Sequence, residues 1–154
     1  MDFSPLRGLP LSSLELRVTQ FSDKDMSILG GMKLRNPSLD DTRVTRLDPL
    51  KGMPLSSLRI SKTSVSDLSP RIGMQLECLE MTDSRVTDLE PLRGMKLKIC
   101  EFTPRNIRSG IPGVRAMETL PAINSLAVAE FWKRYDAGEF RWLTVVGGHC
   151  LRRV

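Results

Sequence analysis

The sequence predicts an α/β solenoid. Its parts are about five or six stacked coils, a parallel sheet on the concave face, short helical or irregular convex segments and a helical C-terminal cap. Three observations predict it. An apolar frame recurs at a fixed step, hydroxyl and β-branched residues recur at fixed offsets behind it, and a Pro-Leu-basic-Gly segment punctuates several of the copies. One coil cannot bury its apolar side alone, whereas stacked coils bury it continuously.

The frame is L-x-x-L-x-L. It stands at Leu55, Leu58 and Ile60, again at Leu76, Leu79 and Met81, and again at Leu97, Cys100 and Phe102, each step being 21 residues. Upstream it stands at Leu11, Leu14 and Leu16 and, after a step of 23, at Leu34, Pro37 and Leu39. Leu120, Ile123 and Ser125 give a weaker copy. Alternating apolar positions mark short strands with one face buried. Strands are therefore expected near residues 14–16, 37–39, 58–60, 79–81 and 100–102, with 123–125 as the weak sixth. Leu58, Ile60, Leu79, Met81 and Phe102 should lie in the core.

Behind each strand stand Thr19, Thr42, Thr63 and Ser84, with Arg105 as the break, then Phe21, Val44, Val65, Val86 and Ile107. A hydroxyl there can bond backbone groups of its own turn and of the neighbouring coil, so a ladder along the axis is expected. The punctuation reads Pro5-Leu-Arg-Gly8, Pro49-Leu-Lys-Gly52 and Pro91-Leu-Arg-Gly94. Proline at the start and glycine at the end fit one short helical turn, which Asp67 and Asp88 can cap. Gly30-Gly31 falls at the same place as a turn.

Some residues break the pattern. Pro37 removes a ladder donor from a central strand, so the second coil should be distorted. Arg71-Ile72 inverts the order of Leu50-Lys51, which should shift that turn by one residue. The first coil carries no N-terminal cap, so an open edge strand, fraying and self-association are expected there.

The array is assigned to residues 1–107 and a last weak coil with a helical cap to 108–140. An atypical tail occupies 141–154. Arg108–Met117 can form a helix with Ser109 as its cap. Ala127–Ala137 places Phe131, Trp132 and Tyr135 at helical spacing, and Gly138 can stop it. These aromatics fit a lid over the last coil better than a ligand cage, because a solenoid needs its end closed. Trp142–Val146 reads as a short strand.

The frame L-x-x-L-x-L-x-x-T-x-V, with Thr where Asn is usual, resembles the leucine-rich repeat. The segments V-S-D-L-S-P and P-L-K-G-M-P-L resemble a bacterial leucine-rich-repeat subfamily, over roughly residues 3–140. Phe102–Ile107 and Ala129–Phe140 are similar to the ends of such arrays. The resemblance implies a role in protein interaction and no catalytic residue. It also implies an alternative, because such arrays stand at the C-terminal end of serine/threonine kinases. The chain would then be a detached regulatory or targeting segment.

Composition closes off other classes. The net charge is +5, but residues 1–140 hold 20 basic and 18 acidic residues; Arg141, Arg152 and Arg153 supply the rest. Phosphate binding needs basic groups in one patch, so nucleic acid is not the expected partner. No apolar run approaches the ~20 residues of a membrane span, and no signal peptide is seen at the N-terminus. Three cysteines without a CxxC signal neither a disulfide framework nor a zinc site, so a cytoplasmic setting is expected. His149 beside Cys150 would point away from it in an extended strand. No nucleotide, metal or hydrolase motif is present, so neither an enzyme nor a cofactor is expected.

The expected partner is a protein. Outward strand positions should line the concave face, with a middle file of Glu15, Ser38, Arg59, Glu80, Glu101 and Asn124. The candidate partner-binding residues are Glu15, Arg17, Asp40, Arg59, Glu80, Ile99 and Glu101. Glu80 and Glu101 are adjacent acids suited to a basic segment of a partner, and Ile99 is the one large apolar side chain. As catalytic carboxylates the pair would need a cleft, which an open sheet face does not provide.

Overall fold

The computed structural model describes residues 1–69, 75–141, 145–146 and 149–150. The inverted Arg71-Ile72 pair, Gly73, Trp142, Arg152 and Arg153 lie outside the described residues. Among the described residues, seven strands form one sheet in chain order: β1 Ser13–Glu15, β2 Asn36–Ser38, β3 Ser57–Arg59, β4 Cys78–Met81, β5 Ile99–Phe102, β6 Ala122–Ile123 and β7 Leu126–Ala127. β1 to β6 pair in parallel, and β7 returns antiparallel to β6. The register follows the sequence step: Leu58 faces Leu79, Leu79 faces Cys100 and Met81 faces Phe102. Leu58, Ile60, Leu79, Met81 and Phe102 are all buried, as the frame requires.

The convex segments are single 3-10 turns at Ser4–Leu6, Met26–Leu29, Asp48–Leu50 and Glu90–Leu92. Three have Pro in the first turn, and Gly8, Gly31, Gly52 and Gly94 follow them with φ between 75° and 81°. The Asp88 carboxylate accepts the Glu90 amide, the first of its turn, at 2.9 Å. Asp67 accepts the Ser69 amide in the same way at 2.8 Å.

The hydroxyl positions close their own coils. Thr19, Thr42, Thr63 and Ser84 donate to the carbonyls of Leu16, Leu39, Ile60 and Met81 at 2.6–2.7 Å. The expected ladder between coils is therefore corrected, because each hydroxyl is spent three residues back. The geometry follows from the residue before it: Val18, Asp41, Lys62 and Asp83 all have φ near 55°. That left-handed residue folds the chain sharply enough to bring the hydroxyl over the strand's last carbonyl.

The next residue in this series, 21 beyond Asp83, is Pro104. Proline is locked near φ −65° and cannot take that conformation. The chain leaves the pattern there into a 3-10 turn, Pro104–Asn106. Asn106 donates its amide to the Ser84 carbonyl instead, at 3.3 Å.

Pro37 has the expected effect. It is buried in register with Leu14, but the pairing of β2 with β3 shrinks to Ser38 opposite Arg59. β3 and β4 share three such pairs.

The sixth coil differs from expectation. Asn124 and Ser125 both take positive φ, 51° and 62°, and turn the chain back into β7. A two-residue loop with both residues left-handed is a favoured hairpin turn, so Ser125 is not a strand residue.

Helix α1, Ile111–Arg115, begins after Gly110 and has no side-chain cap. Ser109 donates instead to Asp88 at 2.6 Å, tying this segment to the preceding coil. Helix α2, Val128–Asp136, packs on the sheet end through Phe131, whose ring lies edge-on to Phe102 at 5.7 Å. Trp132, Tyr135 and Phe140 surround it. Val145–Val146 pairs antiparallel with His149–Cys150 in a separate two-stranded ribbon.

Candidate functional site

Strand residues alternate between the core and the opposite face, so the register fixes what the open face of the sheet displays. One file runs Ser13, Asn36, then Ser57, Cys78 and Ile99. A second runs Glu15, Ser38, Arg59, Glu80 and Glu101. A third set, Arg17, Asp40, Ser61, Thr82 and Thr103, follows the strand ends.

The charged members are placed differently from one another. Arg59 Nε lies 3.1 Å from Glu80 Oε1, so Glu80 is neutralised across the strand pair. The 21-residue step already sets these two side by side. Asp40 is a strap: it accepts the Ser61 amide at 2.7 Å and the Ser38 hydroxyl at 3.2 Å, with Arg17 at 3.8 Å. Its side chain is only 14% exposed, so it serves the joint between coils. Glu15 is exposed at the edge strand. Glu101 accepts a hydroxyl hydrogen bond from Ser125 at 3.4 Å and has no ion pair with a described residue.

Asn124 does not extend the middle file. Its side-chain amide donates to the Phe102 carbonyl at 2.7 Å and accepts the Phe102 amide at 2.9 Å. It thus imitates one more strand residue and closes the β5 backbone.

Ile99 is 47% exposed on this face, the large apolar group that the sequence places there. Cys78 stands opposite it in register and was not among the candidate residues, although the same step identifies it. Burial raises the Cys78 thiol above its ordinary pKa, and the nearby Glu80 charge adds to this against a hydrogen bond from Ser57. The thiol stays protonated and donates to Glu80 Oε1 at 3.7 Å, leaving its sulfur as a small, soft surface beside Ile99. The face thus carries Ile99 beside Cys78, the Arg59–Glu80 and Arg17–Asp40 ion pairs, and two acids, Glu15 and Glu101, that make no ion pair with a described residue, among small polar side chains.

Glu80 and Glu101 lie side by side on an open sheet, and Arg59 occupies the first of them. Among the described residues no group of His, Cys, Asp and Glu is arranged to hold a metal ion. No described helix is long and apolar enough to cross a membrane. Hollows of about 640, 630 and 620 Å³ lie at the strand-entry edge, by the turn glycines and Lys33, Lys96 and Lys98. None of them is lined by the open face.

No protein-family model and no curated protein matches the chain. Among solved structures it is similar to two leucine-rich-repeat proteins of Listeria monocytogenes. One is internalin C2, with a TM-score of 0.66 and 24% identity over 79% of this chain and 55% of that one. The other is an internalin F, with a TM-score of 0.60 and 20% identity over 79% of this chain and 44% of that one. The chain spans about half the length of these proteins. At these identities the likeness is one of fold, and the fold is the leucine-rich-repeat solenoid.

Proposed function

We propose that the chain is a non-catalytic scaffold that binds a protein partner through the open, concave face of its parallel sheet. One observation carries this reading. The face is an extended surface of small polar side chains, with Ile99 exposed at its C-terminal half. Small side chains let a partner approach the sheet closely, and the rim charges set on-rate and salt sensitivity. With no aromatic anchor on the face, affinity should be modest, about micromolar. Residues 108–140 act as the C-terminal cap, with α2 and its aromatics covering the last coil. The free thiol of Cys78 supports a reducing, cytoplasmic setting.

The test is to reverse Glu80 and Glu101 to Lys together and measure binding of the partner recovered by pull-down. The reading predicts weaker binding and a changed salt dependence. Unchanged affinity and salt dependence would overturn it and move attention to the convex residues Arg7, Lys51 and Arg93.

A further inference from the structure

We propose that the docking point on this face is the square formed by Cys78, Ile99, Glu80 and Glu101, and that it takes an extended protein segment with an apolar side chain and a Lys or Arg two residues apart. This inference rests on the concave-face reading and adds the chemistry of the partner. The square is fixed by register: Cys78 pairs with Ile99 and Glu80 with Glu101. Along β5, Ile99 and Glu101 are two residues apart on one face, a separation of about 6.6–7 Å. An extended segment lying along the strand has the same spacing between its alternate side chains, so one of its side chains meets the apolar row while the next on that side meets the acidic row.

The two rows are not equivalent to the rest of the face. Ile99 is the large hydrophobic side chain left exposed on it, and Cys78 is kept as an uncharged thiol by burial. In the acidic row Glu80 already holds Arg59 at 3.1 Å, so its charge is met from within. Among the described residues Glu101 is engaged only by the Ser125 hydroxyl, at 3.4 Å. A carboxylate accepts two parallel hydrogen bonds from a guanidinium, and Glu101 has that capacity to spare. Charge complementarity therefore selects a cation over Glu101, and apolar contact selects the residue over Ile99. Elsewhere on the face Asp40 is tied to Ser61 and Ser38 and offers a partner little.

The experiment is selection of a random linear peptide library displayed on phage against the full chain. Selected peptides are then titrated against the Ile99→Asp, Glu101→Lys and Glu15→Lys variants, with circular dichroism and thermal melting confirming that each is folded. All three sites are solvent-facing. The proposal predicts enrichment of apolar-x-basic sequences, with about tenfold or greater loss of affinity in the Ile99→Asp and Glu101→Lys variants. Glu15→Lys should leave binding within about twofold. Selection repeated on the Glu101→Lys variant should replace the basic residue with an acidic one. Peptides that lose affinity with Glu15→Lys alone would overturn this docking point and leave the concave-face reading standing. Peptides indifferent to all three variants, or no enrichment at all, would count against both.

Discussion

Val18 holds a left-handed backbone, φ 55°, at a position where later coils use Asp41, Lys62 and Asp83. A β-branched residue is poorly suited to that conformation, and Val18 is 75% exposed, so packing gives nothing in return. Val18→Asn should therefore stabilise the protein by about 1 kcal/mol in urea unfolding, since the αL penalty is of that order. In the core the sign reverses: Leu79→Ala should cost about 2–5 kcal/mol. Ser57→Ala on the open face should change stability by less than ~0.5 kcal/mol. A further prediction concerns Asp23. Partial burial would raise its pKa, but hydrogen bonds from the Thr45 hydroxyl and amide and the Arg46 amide lower it below 3.8. Its contribution is present above the unfolded value and is lost as pH falls through the depressed folded value. Unfolding measured between pH 6 and pH 3 should show a shallower acid-side loss of stability in Asp23→Asn than in the wild-type protein. An identical slope would contradict the strap between the first two coils.

At the scale of the element, most of the stack was legible. The recurring frame, with one step of 23 and then steps of 21, sets each of the first five strands to within one residue, because burial on one face leaves a period-2 strand a single register. The misreadings share a cause. Asn124-Ser125 looks like a fading repeat, but two residues that tolerate positive φ make a hairpin turn there. Ser109 looks like a helix cap, but Asp88 is nearer in space and takes its hydroxyl. The Arg59–Glu80 pair and the Asp40 strap depend on which neighbour a long side chain reaches, which spacing narrows without deciding. The weakest joints follow from the pairing. The Leu39 amide, beside the donor lost at Pro37, and the Leu14 and Leu16 amides at the edge strand should exchange faster than those of Ile60, Leu79 and Met81. Uniform exchange across the sheet would contradict this. Gly110 is a different kind of joint: at φ 84°, an added Cβ would lie 2.2 Å from the Glu90 nitrogen. Gly110→Ala should cost about 3 kcal/mol, combining the backbone penalty with a contact that only backbone movement relieves.

At the scale of the molecule, each coil is stabilised by its neighbours, and one continuous cluster of buried side chains runs from Phe3 to Phe131. The same stacking that buries Leu58, Leu79 and Cys100 turns Arg59, Glu80 and Glu101 outward in a fixed order. An open face of ordered side chains is thus a by-product of the core. Its polarity comes from residues that the repeat leaves unconstrained. The exposed large hydrophobics serve as reporters of that face, since Ile99 lies on the sheet and Leu9 lies beside the first convex turn. Hydroxyl-radical footprinting of the chain with and without its captured protein partner reads both at once. Binding through the sheet requires strong protection of Ile99 with Leu9 unchanged, whereas protection of Leu9 with Ile99 still fully reactive would contradict it.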